Sequence, residues 1–341
     1  MNNWDTLTNQ ENSLLINDGT LTNSGMLTFA KGSTFDNTDG TLNNSGTIES
    51  YIDNYFQTLT GGIGGTVNFQ SGTNFLNYAT ITNASGESLH NAHTLTNSRD
   101  GTLTNNGVLV NDFKLINSRD GKLTNSRDGT LTNYDTLNNN QGLLFNSGTL
   151  NNKGTLTNGK DGKVQNRGTI DTTNGTFINY GTKTGSGHIE GSYIDHGHTR
   201  PGNSAGVMTI NGDYFKIAGS KEIELGGLFD GGGDKSLTHH DWLDVTGNVE
   251  LAGTLDVHLI DGFELAQGMS FNFLRVGGTL TGQYDGLGEG DLVGNFGGQD
   301  LFITYAGGDG NEVTLFTVPE PTVALTWPML IGLAIMIRRR R

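Results

Sequence analysis

The feature that most constrains the fold is a spacing. Through residues 95 to 177, inward-looking apolar residues recur as Leu95, Leu103, Leu109, Leu115, Leu123, Leu131, Leu137, Leu143 or Leu144, Leu150, Leu156, Val164, Ile170 and Phe177, mostly six or eight apart. Taken three at a time the steps come to about 20 residues, as from Leu95 to Leu115 or from Leu150 to Ile170. A coil with three short strands per turn has this arithmetic. Near the start Leu7 to Leu27 and Leu21 to Leu42 repeat it, so the organisation covers roughly residues 5 to 185, with a less regular patch at 50 to 90.

Each unit pairs one apolar residue with flanking Thr, as in "TLT", an alternation that turns one side chain inward and two β-branched ones outward. Between units stand "NSRDG", "NSG", "NNKG" and "NGKDG", in which Gly offers positive φ and Asn or Asp bonds its own backbone. Gly or Asn returns before an apolar stripe could complete two helical turns, which disfavours helix. Strands this short cannot bury themselves alone. Stacked about 4.8 Å apart, about nine rungs make a rod roughly 40 Å long. Identical Asn residues above one another are expected to form side-chain amide ladders inside the coil or at its corners. The expected fold is therefore all-β: a parallel β-solenoid with rungs of about 20 residues.

Composition bears on what such a rod can do. Only 33% of the residues are hydrophobic and 53 are Gly, which implies a thin core whose order comes from repetition. The net charge is −15 even though the last four residues are all Arg, so the surface repels nucleic acid and anionic lipid. With no cysteine there is no disulfide, thiolate metal site or Cys nucleophile. The opening "MNNWDTLTNQENSLL" has neither a basic region nor a long apolar stretch, and "DTLTN" at 5 to 9 is already in the repeat. An upstream extension carrying an export signal is the expectation.

Several stretches invite a chemical reading. "SRDG" occurs three times, and Asp100 and Asp120 lie one rung apart beside Arg99 and Arg119. Stacked carboxylates could hold calcium or act as acid and base on a polysaccharide, yet Asp before Gly is also what a tight turn wants. Ice binding would need unbroken outward Thr pairs; Thr102 and Thr104 beside Leu103 give way to Lys122 beside Leu123, and to Lys163 and Gln165 beside Val164. "DHGH" at 195 to 198 and "HHD" at 239 to 241 raise metal binding, since two His at i and i+2 on a strand, as His196 and His198 are, could take a metal and Asp241 could add a third ligand, but no spacing matches a closed zinc site. "GGDGNE" at 307 to 312 is a single half-copy of a calcium-binding nonapeptide. "GNSAG" at 202 to 206 matches the nucleophile-elbow letters at Ser204, but Pro201 precedes it and a strand, not a helix, is expected after it. None of these is assigned a catalytic, cofactor or metal role.

From about residue 186 longer alternating strands replace the short unit. "RPGNSAGVMTINGDY" at 200 to 214, "DWLDVTGNVELAGTLDVHLIDGF" at 241 to 263 and "GMSFNFLRVGGTLTGQYDGL" resemble the C-terminal passenger region of bacterial autotransporter-type surface proteins over about 130 residues. The resemblance implies a right-handed β-helix ending, a surface location and adhesion as a frequent role. No translocator barrel follows, which argues against self-export.

The last segment, "VPEPTVALTWPMLIGLAIMIRRRR", resembles the PEP-CTERM sorting signal of Gram-negative bacteria that make exopolysaccharide. Its parts are Val318, Pro319, Glu320 and Pro321, then an apolar run from Thr322 to Ile337, then Arg338, Arg339, Arg340 and Arg341. The apolar run reads as a short membrane helix whose Arg flank stays in the cytoplasm, with Trp327-Pro328 a departure from the family pattern. The resemblance implies Sec export, transient residence in the inner membrane, cleavage by an exosortase and association with a biofilm matrix. Residues 1–185 are thus read as solenoid, 186–317 as a β-rich cap region and 318–341 as the sorting signal. The functional expectation is a non-enzymatic surface or matrix structural protein, an adhesin among the readings, with exopolysaccharide as partner. The alternative is a β-helical lyase or glycosidase, which would bring two or three charged side chains together in one groove.

Overall fold

The computed structural model describes residues 1–319 apart from 18, 84, 100, 203, 233–236 and 309, and between 31 and 80 it describes the strand backbones alone. The chain winds through three parallel faces. Face 1 has thirteen strands, from Asn2–Asn3 to Thr254–Leu259. Face 2 runs in parallel from Thr6–Asn9 to Ser270–Val276, and face 3 has eleven strands from Asn54–Phe56 to Leu280–Gly282. One rung shows the plan: Thr102–Asn105 on face 1, Val108–Asn111 on face 2, Lys114–Asn117 on face 3, then Lys122–Asn125 back on face 1. Leu103 sits in register with Leu123, and Leu115 with Leu137. The three-strand rung and its step of about 20 residues are as the spacing requires.

Within a four-residue strand such as Thr130–Asn133 the second and fourth side chains are buried. The second is the apolar residue, and each fully buried Leu contributes roughly 2 kcal/mol. At the ambiguous pair, Leu144 is the one that points inward and Leu143 is half-buried. The fourth is Asn, and stacking solves its burial problem. Three ladders run along the coil, one at the end of each face: Asn83, Asn105, Asn125, Asn146 and Asn166; Asn91, Asn111, Asn133 and Asn152; Asn97, Asn117, Asn139, Asn158 and Asn179. In each, Nδ2 donates to Oδ1 one rung later, at 2.6 to 2.8 Å. The same nitrogen also reaches a backbone carbonyl, as from Asn105 to Thr130 at 3.0 Å. All the amides point the same way, so each ladder needs a final acceptor at its C-terminal end.

The turns correct one expectation. In the "SRDG" turn positive φ falls on Arg119 and Asp120, while Gly121 serves closeness. A Cβ on Gly121 would lie 2.6 Å from the carbonyl oxygen of Asn97, so only hydrogen lets the rungs stack.

Stacking continues without a break past residue 185, where Thr182–Gly185 pairs with His198–Pro201. After Ser270–Val276 the sheet turns antiparallel through Glu312–Thr317, Gln299–Gly307 and Leu292–Phe296, which covers the last edge of face 2. No helix among the described residues is long and apolar enough to cross a membrane. The expected hydrophobic helix, with Glu320, Pro321 and Arg338 to Arg341, lies outside the described residues; Val318 and Pro319 follow the last strand and are exposed.

Candidate functional site

The solenoid changes character between residues 182 and 256. The corner joining face 3 to face 1 holds four residues at 118–121 and at 159–162, but only two at Tyr180–Gly181 and His196–Gly197. The contraction leaves an open groove of about 710 Å³ whose floor and walls include Lys160, Tyr180, His196, His198, Asp256 and Asp285. Tyr180 and His196 stack one rung apart, with centroids 4.9 Å apart and planes 19° from parallel. Tyr180 is half exposed, and Ile217 extends the apolar ridge by another rung.

Beside this ridge the outer side of face 1 is ionic. His198 meets Ser220 Oγ at 2.5 Å through Nδ1 and Glu222 at 3.1 Å through Nε2. Arg200 bridges Glu222 at 2.5 Å and Glu224 at 3.3 Å. Asp256 and His258 continue the rows in register with Glu222 and Glu224. Charged side chains do converge here, the feature named above as the mark of a polysaccharide-active enzyme. Glu222, however, is held by both Arg200 and His198, which makes it part of a fixed cross-strand cluster.

Beneath the groove the interior is ionic too. Along face 1 the inward row reads Leu144, Val164, Lys183, Thr199, Lys221, Leu255, so two lysines stand where leucines stood. Along face 3 the third amide ladder ends on Asp195, then Lys216. Asp195 is fully buried and takes five hydrogen bonds. Oδ1 accepts from Asn179 Nδ2 at 2.8 Å and Gly197 N–H at 3.0 Å; Oδ2 accepts from Thr199 Oγ1 at 2.7 Å, Lys216 Nζ at 2.9 Å and Tyr214 OH at 3.0 Å. A carboxylate accepts without donating, so it is a natural end for a donating ladder. Lys216 also donates to the carbonyl of Gly197 at 2.6 Å. The network therefore grips both sides of the turn that carries His196.

Lys183 and Lys221 are less well served. Lys183 Nζ lies 2.7 Å from Met208 Sδ, and Lys221 Nζ has no hydrogen-bond partner and lies 5.2 Å from the centre of the Tyr214 ring. Burial pushes each amine down to about 7, against the opposing pull of Asp195. Burial also lowers Lys216, again opposed by Asp195, and drives the Tyr193 and Tyr214 hydroxyls well above their usual range.

The stretches singled out in sequence mostly do structural work. Asp120 and Arg119 sit at the corner between faces 3 and 1, Asp100 lies outside the described residues, and Arg127-Asp128 sits at a different corner, between faces 1 and 2. "DHGH" divides, with Asp195 inside, His196 on the corner and His198 outside on face 1. In "HHD" the ring of His239 meets the Phe229 ring edge-on, His240 turns its nitrogens to the carbonyls of Gly227 and Asn272 at 3.2 and 3.3 Å, and Asp241 caps the N–H groups of Gly206 and Glu224. Among the described residues no three such ligands gather around a metal position. Ser204 lies in the turn that Asp241 closes, and the strand Val207–Asn211 follows it. In "GGDGNE", Asn311 donates to the carbonyls of Val276 and Gly278, which ties the cap to the coil.

Sequence reasoning missed the ionic interior, though a signal was there. "TKTG" at 182 to 185 stands where the repeat has "TLTN", and "YID" and "YFK" follow at the next positions of face 3. No protein-family model matches the chain, and no curated protein matches it closely enough to lend it a function.

Proposed function

We propose that this protein is an exported structural component of the cell surface or extracellular matrix, and that it holds exopolysaccharide along the groove at the corner between faces 3 and 1. The observation that carries the reading is the Tyr180–His196 stack, which forms an apolar ridge beside His198, Asp256 and Asp285 in an open channel. A pyranose ring needs both parts: a flat apolar surface for its C–H side and hydrogen-bonding groups for its hydroxyls. The openness of the groove suits a polymer passing through, and successive rungs offer similar contacts about every 4.8 Å. Acidic character and the absence of cysteine agree with an exported rod. The PEP-CTERM-like tail supplies the route: Sec export, a halt in the inner membrane by the Arg-flanked segment, and exosortase cleavage near Pro319 to Pro321. The autotransporter-like cap agrees with an adhesive role at the surface.

The test is affinity electrophoresis of the purified protein in gels containing the host's exopolysaccharide. The parent should be retarded, and Tyr180→Ala should lose at least tenfold in apparent affinity while keeping its melting temperature. A parent that migrates freely contradicts the proposal. Release of new reducing ends from the polymer, abolished by Glu222→Gln, would instead establish the enzymatic reading.

A further inference from the structure

We propose that Lys216 and Asp195 condense into an intramolecular isopeptide bond that staples two adjacent rungs directly beneath the groove. The two residues are in-register neighbours on face 3, both have no exposed side-chain surface, and Nζ lies 2.9 Å from Oδ2. Intramolecular pairs that reach a near-attack geometry gain effective molarities of about 10⁵ M or more, and the buried contact keeps this amine and carboxyl group side by side.

The five partners of Asp195 divide by oxygen in the manner the reaction needs. Two N–H donors, from Asn179 and Gly197, fix Oδ1, where negative charge builds as Nζ attacks Cγ; they form an oxyanion hole. Two hydroxyls, of Thr199 and Tyr214, meet Oδ2 beside the amine, placed to relay protons to the oxygen that departs. The balance closes without a co-reactant. Starting from ammonium and carboxylate, the Nζ–Cγ bond forms and the Cγ–Oδ2 bond breaks. Nitrogen keeps one proton, and its other two leave with Oδ2 as water.

The surroundings favour the product. It removes a buried ion pair, and ions in a dry core are costly while an amide satisfied by hydrogen bonds is not. Its carbonyl oxygen is Oδ1, still accepting from Asn179, so the condensed residue takes the place of one more Asn in the amide ladder. Lys216 is the lysine selected, because Lys183 faces Met208 and Lys221 stands over the Tyr214 ring. In a chain without cysteine the bond would serve as the covalent clasp of the rod.

Trypsin gives a direct readout on the full chain. No cut is expected at Arg200, which precedes Pro201, so an unlinked chain yields a peptide ending at Lys216 and a second one ending at Lys221. The linked chain should yield one looped peptide over 184–221, lighter than its sequence by one water, with fragment ions placing the bond between Asp195 and Lys216. The intact protein should carry the same deficit. Lys216→Arg and Asp195→Ala should each restore the sequence mass. Normal cleavage after Lys216 with full mass in the parent overturns the proposal. So does a deficit that persists in Asp195→Ala, since the lost water then comes from elsewhere. The parent's mass decides the matter even if the variants fold poorly.

Discussion

Two stretches of the same coil solve the same problem differently. Between residues 81 and 179 each rung buries apolar residues and Asn, the amides satisfy one another by repetition, and among the described residues no charged side chain is buried. Between 182 and 225 the stacked inward positions also carry Lys183, Asp195, Lys216 and Lys221, and none of these four repeats the residue below it. A neutral ladder can be extended indefinitely because every member is both donor and acceptor. An ionic rung cannot, and it persists only where each group finds a particular partner. The regular stretch therefore repeats one surface, and the irregular one is where a distinct surface, the groove, is fixed in place.

Removing the anion should break the contrast most severely. Asp195→Ala leaves buried Lys183 and Lys216 with no counter-charge, Lys221 with Asp241 alone, and the ladder without its last acceptor, and should cost about 3–5 kcal/mol or prevent folding. Urea denaturation of the parent and variant measures it. A similar loss is expected from Leu123→Asp in the regular stretch, where a charge between stacked Leu103 and Leu144 has no partner. Arg127→Ala, on an exposed turn, serves as the control and should stay within about 0.5 kcal/mol of the parent.

The next prediction separates the stretches by pH. Burial pushes Lys183 and Lys221 down to about 7 in the folded state, against 10.5 for an exposed lysine. Across that window the unfolded chain holds protons that the native state has released, so stability rises with pH from about 7 to about 10.5, by up to roughly 1.4 kcal/mol per pH unit for each lysine. Below about 7 both states are charged and the slope from these groups vanishes. Melting temperatures from pH 7 to 10 should climb in the parent and climb less in Lys221→Met. That variant should also be more stable than the parent at pH 7, because it replaces an unpartnered amine by an apolar chain of similar length.

A smaller effect comes from the neutral ladder. Asn125→Ala removes the donor to Asn146 and the acceptor for Asn105, at a cost of about 1–3 kcal/mol. Little of this should spread to the groove, and thermal melts monitored by the near-ultraviolet signal of the aromatic residues would register any disturbance there.

The sequence discloses the periodic part of this architecture and conceals the rest for a physical reason. Leu103, Leu123 and Leu144 declare their inward direction by recurrence, and the Asn that ends each strand could be placed in ladders on the same ground. Lys183 recurs with nothing. Its inward direction follows only from register with Val164 below it, which a spacing count reads as a break in the pattern. Glu222, Asp256 and His198 come from three different strands and meet only because the rungs stack, so no local motif announces them. The stretches that did look like motifs, "HHD" and "GNSAG", share one turn closed by Asp241, a role defined by backbone N–H groups far away in sequence.

The claim at the centre of this account is that the ionic stretch carries the binding surface and the regular stretch does not. Hydrogen exchange read by mass spectrometry, with and without saturating exopolysaccharide, compares the two directly within one molecule. Binding should slow exchange at the turns 180–182, 196–198 and 217–220 and leave those at 119–121 and 126–129 unchanged. Equal protection of both stretches, or protection confined to the regular one, would contradict the claim.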